Sequence, residues 1–175
     1  TLLKLDIDQA KTIMKKAINK GYKSIAIVLM HAWKYHKHEK ILKNIAKEIG
    51  FKNIYLSHDA APLIGLNSRG DTTVVNAYLT PKLTRYTSKI NKKIKDTKIY
   101  YMQSSGGLTS SKNFQGKDAV LSGPAGGVIA AVETNKQNKK YSGLIGLDMG
   151  GTSTDVFHYE KNYERSIENN IAGNK

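Results

Sequence analysis

Residues 144–159, LIGLDMGGTSTDVFHY, contain two apolar runs that flank a loop of glycine, hydroxyl and acidic residues. The two runs predict strands at 143–148 and 154–159. Gly150 and Gly151 carry no Cβ, so an anion can approach the main chain there and positive φ is permitted. Converging backbone N–H groups in such a turn form a nest that suits a phosphate. A β-hairpin with a plain Gly-Gly turn explains the same residues nearly as well.

Two aspartates bracket this loop. Asp148 ends the first predicted strand and Asp155 begins the second, with Thr152, Ser153 and Thr154 between them. Carboxylates do not bind phosphate directly, so their presence implies a cation, most simply Mg²⁺ with ordered waters. A carboxylate at this position can also orient an attacking water. The pattern therefore makes Asp148 and Asp155 candidate metal ligands and candidate catalytic residues.

Two other glycine-rich segments lie in the same part of the chain. MQSSGGL (102–108) continues a predicted strand at 98–103, and SGPAGG (122–127) predicts a helix start with Pro124 in its first turn. Taken alone, the first segment is better explained as a turn and the second as a packing site. Together with the loop at 150–151, the three segments favour one shared cleft.

The first part of the chain alternates between amphipathic helices and short apolar strands. The predicted elements are helices at 8–21 and 38–50, strands at 24–30 and 53–57, and a long helix at about 71–95. Parallel strands need helical crossovers, so this order predicts an α/β unit. Asp71 is predicted to cap the long helix, and Pro81 inside it is expected to kink or split it.

The composition excludes several classes of protein. The net charge is +14, but the arginines that read bases and fork onto phosphates occur only at 69, 85 and 165. We therefore expect no specific nucleic-acid partner. Cysteine is absent, which excludes disulfides, thiolate zinc sites and cysteine nucleophiles. No apolar run approaches the roughly 20 residues that span a bilayer, so we expect no membrane partner and a cytoplasmic location.

The quoted motifs together resemble the hydantoinase/oxoprolinase family. The resemblance is carried by LDMGGTSTDV, LSGPAGGV, MQSSGGLT and SRGDTTVVNAYLTP, and it is greatest to the ATP-dependent 5-oxoprolinase branch. It implies an α/β fold of mixed sheets with packed helices, part of an ATPase of the actin/Hsp70/sugar-kinase type. The implied reaction converts 5-oxo-L-proline, ATP and water to L-glutamate, ADP and phosphate. Hydantoin-type cyclic amides remain an alternative substrate.

The resemblance also implies a nucleotide site. ATP and Mg²⁺ are the implied cofactors, with Asp148 and Asp155 at the metal and the attacking water. The implied phosphate-binding residues are Gly150, Gly151, Thr152 and Ser153, with Gly123, Ala125, Gly126 and Gly127 lining the same cleft. Arg69 and Asp71 are the nearest candidates for substrate contacts, although a surface salt bridge is the favoured explanation of Arg69.

The same resemblance implies a piece of a larger protein. Residues 1–100 would end an N-terminal lobe and residues 101–175 would begin a second lobe, with the rest of the hydantoinase A/B-type polypeptide as a partner and a homo-oligomer at full length. The sequence begins at Thr1 and lacks the additional Asp-Gly-Gly-Thr loop of full members. We therefore expect the chain to be a fragment that is inactive alone. A non-catalytic remnant or interaction module from a split or decaying gene is the alternative.

A cluster of histidines gives one further candidate. His31, His36 and His38 precede or begin the second predicted helix, with Glu39 beside them. Zinc needs three or four ligands at suitable spacing. Because no nearby carboxylate besides Glu39 completes the set, a solvated helix start is the favoured interpretation.

Overall fold

A computed structural model describes residues 4–138, 141–151 and 153–163. The chain forms two compact units, and the division falls after Arg85, inside a long helix. This point lies earlier in the chain than the predicted lobe boundary at residue 100, which stays a prediction. No helix in the described part of the chain is long and apolar enough to cross a membrane.

The first unit is an α/β layer. Its elements are α1 (Ile7–Asn19), β1 (Ser24–Ile27), α2 (Lys37–Ile49), β2 (Asn53–Leu56), the short α3 (Ser57–Ala60) and the start of α4 (Leu66–Lys93). β1 and β2 pair in parallel, with Ser24 opposite Asn53 and Ile27 opposite Leu56. The helix–strand alternation predicted from the sequence is therefore confirmed in this unit.

The core of this unit lies between the parallel strands and the first two helices. Its buried members are Met14, Ile27, Leu42, Ile45, Ala46, Phe51 and Leu56. Helical spacing of the apolar residues on α1 and α2 places them on one face of each helix. Asp6, which precedes the predicted helix start at residue 8, caps α1 by accepting a hydrogen bond from the backbone N–H of Gln9 at 2.8 Å. Gly50 ends α2 in the left-handed conformation, at φ 109°.

The long helix α4 differs from its prediction in two ways. It begins at Leu66, so Asp71 lies within it rather than capping it, and it continues through Pro81 without a break. Proline has no N–H to donate to the carbonyl four residues earlier, here that of Ala77. The Ser24 hydroxyl on β1 donates to that carbonyl at 2.7 Å. The bond that Pro81 omits is thus replaced from the sheet, and the predicted split was wrong.

The second unit contains the end of α4, two further helices and two hairpins. Its elements are β3 (Tyr100–Met102), β4 (Leu108–Ser110), α5 (Gly116–Ala119), α6 (Ser122–Asn138), β5 (Gly143–Met149) and β6 (Thr154–Glu160). β3 pairs with β4, and β5 pairs with β6, both antiparallel. Together with the parallel pair of the first unit, the described strands form three separate two-stranded sheets, one parallel and two antiparallel, so no single one of these sheets is mixed.

Candidate functional site

The Gly-Gly loop is a tight connection between β5 and β6. The last register pair before it joins Met149 to Thr154, and the N–H of Gly150 donates to the Ser153 carbonyl at 2.9 Å. The hairpin that the sequence left open as an alternative is therefore present. Because the Gly150 N–H is used within the turn, Gly150 can allow close approach to the main chain but cannot donate that bond to a phosphate.

The two aspartates of the loop are direct cross-strand partners. Asp148 lies opposite Asp155 in the register, and both are exposed. Partners in an antiparallel pair project from the same face of the sheet, about 4.5–5.5 Å apart at Cβ. Two like charges at that separation repel each other, and neither aspartate has a salt bridge within the described residues. A divalent cation between them would relieve this repulsion.

The start of α6 lies against the same face. A Cβ built on Gly127 would lie 4.0 Å from Oδ2 of Asp148, so the segment at 122–127 borders the carboxylate. Gly127 is exposed, and so is Gly123, where an added Cβ would meet nothing within 4 Å. The fold thus brings together two of the glycine-rich segments that the sequence singled out.

The third glycine-rich segment packs on the same helix. An added Cβ on Gly126 of α6 would lie 3.8 Å from Met102 of β3. Gly106, in the turn between β3 and β4, has φ +80°, and its Cβ would lie 3.2 Å from Cδ1 of Ile129. Glycine is required at 106 because an L side chain rarely adopts that φ. One of the three segments therefore forms the start of α6, and the other two belong to hairpins that pack against this helix.

The donor set at this site suits magnesium. Mg²⁺ is commonly held by one or two carboxylates, with waters and substrate phosphates completing an octahedron. Asp148 and Asp155 provide two such carboxylates, whereas the described residues contain no group of three His, Cys, Asp or Glu side chains that could hold a metal by themselves. The residues therefore fit a cation that binds together with a nucleotide. Gly151 is exposed and sterically open, and Thr152 lies outside the described residues.

A buried charged cluster lies in the first unit. Glu39 is 0% exposed, and its Oε1 accepts hydrogen bonds from the Leu29 N–H at 2.9 Å and the Ser57 hydroxyl at 2.6 Å. Its Oε2 lies 2.6 Å from Nδ1 of His58 and accepts from the His58 backbone N–H at 3.3 Å. The local sequence gives no sign of this role, because Glu39 lies among lysines and histidines at the start of an amphipathic helix.

Arg69 completes the cluster. Its position contradicts both sequence-based interpretations of this residue, a substrate contact and a surface salt bridge. It is 0% exposed, and its Nε donates to the Ser57 hydroxyl at 2.9 Å. Its terminal nitrogens donate to the carbonyls of Leu29, Met30, Leu63, Ile64 and Gly65. Guanidinium has five N–H donors, and these acceptors use all of them. Arg69 is therefore neither a surface ion pair nor free to contact a substrate.

Two histidine rings, those of His36 and His58, stack on each other. The ring of His36 stacks on His58 with centroids 4.2 Å apart and planes 5° from parallel, and Nδ1 of His58 faces Glu39. Stacked rings direct their nitrogens sideways rather than toward a common point. The expectation that His31, His36 and His38 form no zinc site stays a prediction, whereas Glu39 beside them is buried rather than solvated.

Comparison with sequence families gives two matches along the chain. A family described as hydantoinase/oxoprolinase matches residues 69–175, and one described as the hydantoinase/oxoprolinase N-terminal region matches residues 1–50. The glycine-rich segments and both aspartates fall in the first match.

Individual relatives point the same way. The chain is 42% identical over 172 residues to 5-oxoprolinase 1 of Arabidopsis thaliana, covering 96% of this chain. It is 41% identical over 174 residues to the 5-oxoprolinase of Saccharomyces cerevisiae, covering 97% of this chain. In each case the match spans 14% of the relative's length.

Two solved structures are similar in fold. A nucleotide-free acetone carboxylase aligns with a TM-score of 0.77 at 28% identity, over 88% of this chain and 23% of that one. The ATP-dependent caprolactamase of Pseudomonas jessenii aligns with a TM-score of 0.80 at 26% identity, over 89% of this chain and 23% of that one. The predicted α/β, ATPase-like fold class is thereby confirmed.

Proposed function

Because the chain belongs to the hydantoinase/oxoprolinase family, we propose that it forms the phosphate-binding part of an ATP-dependent cyclic-amide hydrolase. The observation that carries this proposal is the pairing of Asp148 with Asp155 across the Gly-Gly hairpin, beside the start of α6. Two exposed, opposed carboxylates next to sterically open glycines suit a metal–triphosphate better than a plain turn, which needs neither acid.

Different residues of such a site would bind the metal ion and the phosphates. Asp148 and Asp155 would hold Mg²⁺ through one carboxylate each and orient waters around it. Gly151, Ser153, Gly123, Gly126 and Gly127 would let the phosphates approach the main chain, with Gly150 shaping the turn. Thr152 stays a prediction from the motif. Bound Mg²⁺ would neutralise phosphate charge.

The proposed substrate is 5-oxo-L-proline, whose five-membered lactam resists hydrolysis. ATP supplies the activation, because a phosphoryl group on the amide oxygen makes that oxygen a leaving group and the carbon electrophilic. ADP leaves in that phosphoryl transfer. One water then adds to the carbon and the ring C–N bond opens, which gives γ-glutamyl phosphate. A second water displaces the phosphate from that carbon, so L-glutamate and phosphate leave. The chain has higher sequence identity to the 5-oxoprolinases than to the caprolactamase, which favours the five-membered lactam over the larger caprolactam ring. A hydantoin is the second candidate.

The chain would act only within a larger assembly. It spans 14% of the length of the curated relatives, and its sequence contains one Asp-x-Gly-Gly loop. Neutralising the transferring phosphoryl group during the reaction takes charged groups from both sides of the nucleotide. The remaining hydantoinase A/B-type regions would supply the other side, and oligomerisation would belong to that larger protein.

A chimera tests this proposal. The matching segment of the yeast 5-oxoprolinase is replaced by this chain, and ATP-dependent release of glutamate from 5-oxoproline is measured, with hydantoin as the alternative substrate. We expect turnover of 5-oxoproline that Asp148→Asn abolishes and Asp96→Asn, on an exposed loop of the same unit, leaves intact. A folded chimera that hydrolyses neither ring would instead support the non-catalytic remnant.

A further inference from the structure

Ser104, in the turn after β3, makes three hydrogen bonds to the segment that leads into α6. Its backbone N–H donates to the Asp118 carbonyl at 2.6 Å, and its hydroxyl donates to the same carbonyl at 2.8 Å. The hydroxyl also accepts from the Leu121 N–H at 3.0 Å. One part-buried hydroxyl therefore bonds to an acceptor in α5, the Asp118 carbonyl, and to a donor just before α6, the Leu121 N–H.

Leu121 directly precedes α6 and accepts its first helical hydrogen bond. Its carbonyl accepts from the Ala125 N–H at 3.1 Å, which is the first helical bond of the SGPAGG segment. The first N–H groups of a helix have no partner inside it, so their direction depends on what fixes the preceding residues. Here the Ser104 hydroxyl fixes the Leu121 N–H, and with it the direction in which the helix begins.

Two other contacts between the turn and α6 lack this directionality. Met102 lies beside Gly126, and Gly106 lies beside Ile129, both through apolar atoms. Van der Waals contacts hold a separation but fix rotation poorly, whereas hydrogen bonds weaken steeply away from linear geometry. Ser104 is therefore the contact that sets how the helix start faces Asp148 across Gly127.

We propose that Ser104 is a positioning residue for the phosphate site, orienting residues 122–127 of α6 toward the Asp148 loop through its bonds to Asp118 and Leu121. The proposal rests on the proposed function, since it assigns to this site a triphosphate held with a divalent cation. Ser104 itself touches no phosphate, because its hydroxyl is engaged by the junction.

The first test needs no ligand. Amide hydrogen exchange is compared between the wild-type 175-residue chain, Ser104→Ala and Ser104→Thr, which keeps the hydroxyl. We expect faster exchange across residues 121–127 in Ser104→Ala and exchange near wild type in Ser104→Thr. Ser111→Ala is the matched control, because Ser111 accepts a bond from Asn91 at 2.7 Å in the same unit and is not bonded to the junction. Unchanged exchange in Ser104→Ala would overturn the proposal.

The second test measures affinity for MgATP by calorimetry on the same variants. Ser104→Ala should bind about tenfold more weakly, the effect of losing roughly one buried hydrogen bond, while Ser104→Thr and Ser111→Ala should bind as the wild type does. If Ser104→Ala does not fold, Ser104→Cys, whose thiol is a weak donor and acceptor, takes its place.

The outcomes separate the two proposals. If the wild-type chain binds MgATP and Ser104→Ala binds it equally well, the positioning role is wrong while the phosphate site stands. If the wild-type chain binds no MgATP, the phosphate site is wrong and the positioning role falls with it, even where exchange at 121–127 has increased.

Discussion

At the scale of single residues, Arg69 shows how burial changes the meaning of a charged side chain. Its five donors are matched by backbone carbonyls and the Ser57 hydroxyl, and through Ser57 it connects to the carboxylate of Glu39. A buried charge is tolerated when every donor is satisfied, and removing one partner leaves the others unsatisfied. The cluster fixes the carboxyl end of β1 and the loop before α4.

Arg69→Gln should therefore destabilise the chain strongly. It removes most of the donors that five carbonyls and Ser57 use, so we expect a loss of about 3–5 kcal/mol in the free energy of unfolding. Urea denaturation followed by circular dichroism measures it. Arg85→Gln, at an exposed position, should change stability by no more than about 0.5 kcal/mol. Equal losses of unfolding free energy in the two variants would show that the buried cluster does not stabilise the chain more than an exposed arginine does.

Sequence reasoning could not find this cluster. Glu39, Ser57 and Arg69 are separated by 18 and 12 residues, and the carbonyls that Arg69 bonds are up to 40 residues away. Nothing in the local pattern distinguishes a buried Glu39 from a solvated one. By contrast, the Gly-Gly hairpin and its two aspartates were predictable, because the conformation of a turn depends on residues that are adjacent in sequence.

At the scale of elements, the continuity of α4 depends on the sheet. Pro81 leaves the Ala77 carbonyl without its helical donor, and Ser24 on β1 supplies the replacement. The predicted break followed correctly from local rules. It failed because the compensating hydroxyl lies 53 residues away in sequence.

A double-mutant cycle tests this exchange of donors. Ser24→Ala should cost about 1–3 kcal/mol, since the Ala77 carbonyl loses its partner. In a Pro81→Ala background the residue-81 N–H can donate instead, so the same substitution should cost less. Thermal and urea unfolding of the four variants give the coupling energy. Additive effects, with no coupling between positions 24 and 81, would contradict this account of α4.

The turn between β3 and β4 provides a second prediction at this scale. Gly106→Ala places a side chain at φ +80° and 3.2 Å from Ile129, so we expect a loss of about 1–2 kcal/mol in stability. Gly107→Ala, whose Cβ would make an ordinary 3.5 Å contact with Gln103, should cost less. The reverse order would show that the turn does not pack on α6 as described.

At the scale of the whole molecule, we expect the chain to bind MgATP but not to hydrolyse 5-oxoproline. With 5-oxoproline, ATP and Mg²⁺, the 175-residue chain should release no glutamate above the uncatalysed background, because a single phosphate loop cannot neutralise the transferring phosphoryl group. A coupled glutamate assay measures this. Substrate-dependent release that Asp148→Asn removes would show that the missing regions are not needed for chemistry.

We propose above that the Asp148–Asp155 hairpin and the start of α6 together hold a metal-bound triphosphate. Titration of the ¹⁵N-labelled chain with MgATP, followed by amide chemical shifts, tests it most directly. We predict saturable shifts concentrated at residues 123–127 and 150–153, lost in Asp148→Asn and retained in Asp96→Asn. Absence of saturable shifts, or shifts centred outside those two segments and unaffected by Asp148→Asn, would contradict the claim.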